Sequence, residues 1–270
     1  EMIAPPPAER LSLNTATVRE QWNLRQMIEA CARHGIRGIS PWRDKLDELG
    51  VQQAARLIRQ HELTVTGLCR GGMFPAADAA GRQAAIDDNR RAIDDAATIG
   101  ARCLVLVVGG LPAGSKDLAG ARQMVVDGIA AVLGHARASG VPLAIEPLHP
   151  MYCADRACVN TLDQALDLCD VVDPAPQGAA PSGAIGVAVD AYHVWWDPNL
   201  ARALERARPE RLLAFHICDW LVPTADLLLD RGMMGDGVID IAGIREAVEA
   251  EGYAGFHEVE IFSEIGRAHV

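Results

Sequence analysis

With 270 residues, half of them apolar and only 4% aromatic, the chain can bury a full core, and its length suits one domain better than two stitched together. A formal net charge of −11 argues against a broad basic footprint for nucleic acid, so a small partner is expected. Seven scattered cysteines, odd in number and without paired zinc-ribbon spacing, suggest neither a disulfide framework nor a structural zinc site. EMIAPPPAER lacks a basic-then-apolar leader and no apolar run reaches bilayer length, so a reducing cytoplasm and no membrane are expected.

In chain order, the first apolar run is LSLNTAT from Leu11, then IRGISP from Ile36, LTVTGLC from Leu63 and RCLVLVVGG from Arg102. VPLAIEP from Val141, AIGVAVD from Ala184, RLLAFHIC from Arg211 and GFHEVEIF from Gly255 complete the set. These read as buried parallel strands. Between them lie stretches with apolar residues at three- and four-residue spacing, such as those ending in Gly100 and Gly140, where helices stop. His34 and His61 fall at helix ends.

Eight strands alternating with seven helices predict an α/β protein with a (β/α)8 TIM barrel as a single domain over residues 1–270. A doubly wound open sheet alternates in the same way, but no glycine-rich phosphate turn follows the first strand. PAPQGAAPSG, residues 174–183, reads as a surface loop at the bottom of the barrel. The last seven residues, EIGRAHV, resemble the in-frame translation of a widely used sequencing-adapter end and directly follow the eighth strand. Glu264 to Val270 are therefore expected to be partly or wholly non-native, with the last helix of the barrel missing through truncation.

In such a barrel every strand tip converges on one face, so polar residues at the carboxyl ends of strands are candidate site residues. Trp42 follows the second strand, where it either walls a pocket or packs under a loop, and Trp195 and Trp196 carry the same two readings. Arg70 ends the third strand, positioned for a substrate phosphate or carboxylate, or else as a plain surface arginine. Glu146 ends the fifth, where a carboxylate is costly unless paired or bound to a cation, and His149 and Arg156 lie on the loop that follows. The sixth strand ends in the D-x-x-H group Asp190 and His193, the seventh in the H-x-x-D group His216 and Asp219.

Glu258 and Glu260, two apart, share one side of the eighth strand; Glu260 is nearer the tip and Glu258 deeper. Glu146, Asp190, His216 and Glu260 together form a coordination set for a divalent ion. The loop LVPTADLLLDRGMMGDGVID is long enough to cover a barrel site, while its Gly235 and Gly237 are too short a pattern to indicate phosphate binding.

The motifs AIEPLHP, VAVDAYHVWWD, FHICDW, MGDGVID and GFHEVEIFS, over a span from about Leu11 to Ser263, resemble the xylose-isomerase-like TIM-barrel superfamily. That group contains sugar-phosphate isomerases and epimerases, ketose 3-epimerases, inosose dehydratases and family 2 apurinic endonucleases. The resemblance implies metal ligands at Glu146, Asp190, His216 and Glu260, holding manganese or magnesium ahead of cobalt or zinc. It also implies a substrate contact at His193, to which Arg70, Trp42, His149 and Asp219 are added as substrate-binding candidates. The implied activity is isomerisation or epimerisation of a sugar, sugar phosphate or related polyol ketone, with Glu146 and Glu260 as catalytic base and acid on two faces of an enediolate.

A metal-dependent dehydratase of the inosose or dehydroshikimate type needs the same proton abstraction. An apurinic endonuclease of this fold uses a three-zinc cluster fed by extra histidines from the earlier strands, and the first four strands here end without one. A non-catalytic barrel has no physical reason to keep buried carboxylates converging. A small carbohydrate is the expected partner, and a homo-oligomer is a further expectation.

Overall fold

The computed structural model describes residues 4–263, so the expectations for Glu264 to Val270 and for a missing last helix lie outside the described residues. The strands are Leu11–Asn14, Gly38–Ser40, a third in two pieces (Thr64–Val65 and Leu68–Gly72), Leu104–Val107, Leu143–Ile145, Ile185–Asp190, Leu212–Ile217 and His257–Val259. All neighbours in this sheet pair in parallel, and the eighth strand returns to the first through Leu11 with His257, Ser12 with Glu258 and Leu13 with Val259.

The third strand completes the ring by serving both sides. Thr64–Val65 pairs with Gly38 and Ile39, whereas Leu68–Gly72 pairs with the fourth strand. This corrects the expectation of one unbroken strand over LTVTGLC: the last bond to the second strand is Thr66 N–H donating to the Ile39 carbonyl at 3.0 Å, and pairing resumes on the fourth strand from Leu68 to Gly72. Thr66 turns its hydroxyl inward to Ser12 Oγ at 2.7 Å, and a register shift between Cys69 and Gly71 re-aims Arg70 at the strand tip. Gly72 closes the irregularity at φ +103°; a Cβ there would lie 2.0 Å from the Val107 carbonyl oxygen, so this approach admits only glycine.

Helical connections follow the first seven strands: Leu24–Arg33, the pair Arg43–Leu49 and Val51–Gln60, Ala79–Ile99, Leu118–Ser139, Leu162–Val172, Leu200–Arg211 and Ile241–Ala250. Asn23, Asp78, Asp117, Thr161 and Asp240 cap helix starts, each accepting from a backbone N–H of the first turn. His34 and His61 close two of the helices. Residues 174–183 join a helix to the sixth strand, at the end of the barrel opposite the strand tips. Among the described residues no helix is long and apolar enough to cross a membrane.

Period-two alternation divides each strand between two environments. Leu143, Ile145, Val187, Val189, Phe215 and Ile217 join the main core with the helices. Ala144, Ala188 and Ala214 join Cys69, Cys103 and Val105 in a separate apolar cluster of small side chains filling the barrel interior. Two residues beyond each of those alanines, on the same face, come Glu146, Asp190 and His216. The strands therefore read A-x-E, A-x-D and A-x-H: a small residue fills the interior layer and a polar one stands above it at the rim.

A candidate metal and substrate site at the strand tips

Glu146, Asp190, His216 and Glu260 each offer one ligand atom, and these atoms all lie within 4.8 Å of one another. All four residues are buried. Register sets this convergence: Asp190 lies beside His216 across the sixth and seventh strands, and Glu258 beside His216 across the seventh and eighth. His216 Nδ1 is 3.2 Å from Glu146 Oε2 and 3.2 Å from Glu260 Oε2. None of these contacts is aligned as a hydrogen bond, and both ring nitrogens of His216 lack a hydrogen-bond partner.

Glu258 occupies the layer below the rim. It accepts hydrogen bonds from Thr66 Oγ1 at 2.7 Å and Asn14 Nδ2 at 2.9 Å, and its Oε2 lies 3.0 Å from His216 Nε2. Its partners are thus two neutral donors and the back of the His216 ring, which fixes the ring with Nδ1 toward the cluster. Carboxylates placed behind a ligating imidazole orient it and raise its basicity. Glu258→Gln is expected to keep the fold and weaken divalent-ion binding by about 10- to 100-fold. Competition against a fluorescent chelator checks this, and unchanged affinity would remove Glu258 from that role.

Among the described residues, one permanent cation faces the cluster. Arg231 Nη1 is 3.5 Å from Asp190 Oδ2 and 3.8 Å from Glu260 Oε2, and its guanidinium lies against the Tyr192 and Phe262 rings at 4.2 and 4.9 Å. Asp190 spends its other oxygen accepting from Tyr192 N at 2.9 Å, capping a helical turn. Burial pushes the Asp190 carboxyl up to about 8, with Arg231 opposing the shift and Glu146 and Glu260 adding to it. Burial also raises Glu146. Glu260 is also penalised by burial, but its contacts with His216 and Arg231 bring it below the usual carboxylate range. Burial opposes protonation of His216, yet Glu258, Glu146 and Glu260 together raise it well above the ordinary imidazole value.

These residues fit a divalent ion. Three buried carboxylates and an imidazole nitrogen without a hydrogen bond form a mixed oxygen and nitrogen donor set, and one arginine does not balance their charge. Protons held by Asp190 and His216 must leave before those atoms can ligate, so divalent-ion affinity should rise as pH increases from 6 to about 8, with proton release on binding. Without metal, folded Asp190 keeps its proton where the unfolded chain has lost it. That contribution to stability is present below the ordinary carboxylate range and is lost as pH rises toward about 8. Calorimetry in buffers of different ionisation enthalpy measures the proton release, and a pH-independent affinity would contradict the assignment.

Above the cluster opens a cavity of about 210 Å³. Glu146, Glu260, His193, Arg231, Trp42, Arg70 and Arg156 contribute to its lining, with apolar walls that include Met73, Leu148, Leu228 and Phe262. Trp42 is held by its ring N–H, which donates to Asn14 Oδ1 at 2.9 Å. His193 Nδ1 accepts from the His149 backbone N–H at 2.9 Å, and its Nε2 lies 3.3 Å from Arg231 Nη2, 4.0 Å from Glu146 Oε1 and 3.8 Å from Asp190 Oδ2. Burial and the nearby Arg231 charge hold His193 well below its ordinary pKa, and it is neutral. The loop over residues 221–240 does reach the site: Leu228 and Arg231 come from it.

Two expected substrate contacts stand outside the cavity lining. Asp219 lies outside the cavity lining; its buried carboxylate accepts from the backbone N–H groups of Trp220, Gly235 and Ile239 at 2.9, 2.9 and 3.0 Å, tying down the covering loop. His149 is also outside the lining. Its Nδ1 accepts from Met151 N at 3.2 Å and its ring stands 5.0 Å from that of Trp220, so it supports His193 through its own backbone. Trp195 and Trp196 likewise pack behind the site, with Trp196 Nε1 donating to the His193 carbonyl at 2.7 Å. Sequence reasoning missed Arg231, Tyr152 and Phe262. Only Phe262 carried a signal, since it stands two residues beyond Glu260 on the same side of the extended chain.

A closed parallel barrel with a buried ligand-type cluster and a cavity at its strand tips defines the class. The model of the xylose isomerase-like TIM barrel family matches residues 28–269, and the chain belongs to that family. A solved protein from Sinorhizobium meliloti 1021 is 61% identical, superposes with a TM-score of 0.90, and is matched over 96% of this chain and 91% of that one. An inosose isomerase from Bacillus velezensis is 25% identical, over 94% of this chain and 88% of its own. An IOLI protein crystallised with a zinc atom shares the fold at 23% identity and a TM-score of 0.79, over 95% of this chain and 90% of that one.

Proposed function

We propose that this protein is a divalent-metal-dependent isomerase or epimerase acting on a sugar, sugar phosphate or related polyol ketone. The observation that carries the reading is the convergence of Glu146, Asp190, His216 and Glu260 within 4.8 Å at the floor of a cavity. The inosose isomerase relative supports a ketone-bearing polyol as the substrate class, and the zinc bound in the IOLI protein supports a divalent ion. Manganese or magnesium is proposed ahead of cobalt or zinc, because three of the four ligands are hard carboxylates.

Bound there, the ion supplies a Lewis acid that polarises a substrate carbonyl. Glu146 Oε1 is the carboxylate oxygen turned from His216 toward His193, and it is assigned removal of the proton from the carbon beside that carbonyl. Glu260, on the eighth strand, is assigned the return of a proton on the other face of the enediolate, a proton it first takes from solvent because its carboxyl is ionised at rest. Return to the same carbon gives epimerisation, and return to the neighbouring carbon gives isomerisation. His193 Nε2, 3.3 Å from Arg231 Nη2, faces the same space as a contact for a substrate oxygen. The Trp42 ring and the apolar walls hold the carbon face and exclude water.

Among the described residues the ligand-type groups of three or more form this one cluster, without the additional histidines of a three-zinc endonuclease site. The test is to incubate Mn²⁺-loaded protein with candidate ketoses in deuterium oxide and follow label at the carbon next to the carbonyl. Label accompanied by a changed sugar supports the reading. Loss of water, read as growing enone absorbance without epimer or isomer, would replace it with the dehydratase, and no exchange with any ketose would reject it.

A further inference from the structure

The cavity rim carries positive charge that the proposed proton transfer does not use. Arg70 comes from the tip of the third strand and Arg156 from the loop after the fifth, and both line the cavity that reaches Glu146 and Glu260. Other arginines near or inside the barrel have acids of their own: Arg43 clamps Asp88 through two bonds of 2.9 Å, Arg211 meets Asp173 at 3.2 Å, and Arg231 faces Asp190. Among the described residues neither Arg70 nor Arg156 has a carboxylate within ion-pair distance. The acid that reaches Arg70 electrostatically, Asp88, is already taken by Arg43.

Arg70 is half-buried, and both its burial and the like charge of Arg156 work against its protonated form. Arg156 lies over the Tyr152 ring at 5.5 Å, which gives its guanidinium a platform at the rim. Holding two guanidinium groups near each other, one of them partly desolvated, costs free energy that an anion between them would recover. Their planar forks match the paired oxygens of a carboxylate or phosphate. Apolar Met73, Val105, Val107 and Leu148 line the same cavity, so within it the rim arginines are the charge left for an anion to meet.

We infer that the substrate carries a carboxylate or phosphate at the end away from its reacting hydroxy-ketone, and that Arg70 and Arg156 read it. This rests on the proposed metal-dependent reading, which puts the reacting carbon at Glu146 and Glu260. Three six-carbon ketones separate the possibilities: neutral D-fructose, D-fructose 6-phosphate with a distal phosphate, and 5-keto-D-gluconate with a distal carboxylate.

Calorimetric titration of the Mn²⁺-loaded protein should find at least one of the two anions bound about tenfold or more tightly than D-fructose, and which one identifies the group. Arg70→Gln and Arg156→Gln should each remove most of that advantage while leaving Mn²⁺ and D-fructose affinities unchanged. Equal binding of all three ketones, or an anion preference that survives the double variant, overturns the inference. Mn²⁺ titration without any ketone is run first, and its failure counts against the proposed function instead. The arginine pair is then read with inorganic phosphate on the metal-free protein: binding that Arg70→Gln abolishes supports the anion site, and no binding overturns it.

Discussion

Glu146→Gln is expected to leave the barrel folded and to lower turnover of an accepted ketose by about 10²- to 10⁴-fold, the range removed with a general base. The amide preserves size and the packing of the fifth strand, whose Ala144 and Ile145 stay in their layers. It cannot take a proton from carbon, and it removes one of the three carboxylates from the cluster, so ion affinity falls as well. Saturating Mn²⁺ separates the two effects: exchange of substrate hydrogen with deuterium oxide should stay low even when the ion is fully bound. Wild-type exchange in the variant would take Glu146 out of the proton transfer.

Arg231→Met should have the largest effect on stability. Methionine can still fill the space beside Tyr192 and Phe262, but Asp190 and Glu260 lose the guanidinium facing them. Breaking a buried pair in this way costs about 3–5 kcal/mol, because the Glu260 charge left behind is uncompensated. The same loss makes the cluster more negative, so added Mn²⁺ should raise the variant's unfolding midpoint by more than it raises the wild type's. Urea denaturation with and without Mn²⁺ reads both. A metal-free variant as stable as wild type, or a smaller gain on adding the ion, would contradict the electrostatic picture.

The expectations that rested on strand periodicity and those that rested on motif spacing fared differently. A small residue two positions before Glu146, Asp190 and His216, within short apolar runs, is a local pattern, and local patterns determine which face of a strand a side chain uses. H-x-x-D gave no such constraint on Asp219, because its partners are the backbone N–H groups of Gly235 and Ile239, 16 and 20 residues further along. His149 follows the same logic: its ring stands against that of Trp220, and no local spacing encodes that pairing.

Arg231 was illegible for a different reason. It sits in a loop, where a charged residue is ordinary, and only the loop's return over the strand tips brings it to Asp190. The break in the third strand was hidden because Thr66 and Gly67 sit in an otherwise continuous apolar run, while the partners of the Thr66 hydroxyl, Ser12 and Glu258, lie 54 and 192 residues away.

The most direct measurement is an anomalous-difference map from crystals grown with Mn²⁺ and collected at the manganese absorption edge. One strong peak is expected, bonded to Glu146, Asp190, Glu260 and His216 Nδ1 at about 2.0–2.3 Å, with Glu258 still behind Nε2 of the same ring. A saturated crystal with no peak among those four side chains, or with its ion held elsewhere, would contradict the proposed metal site.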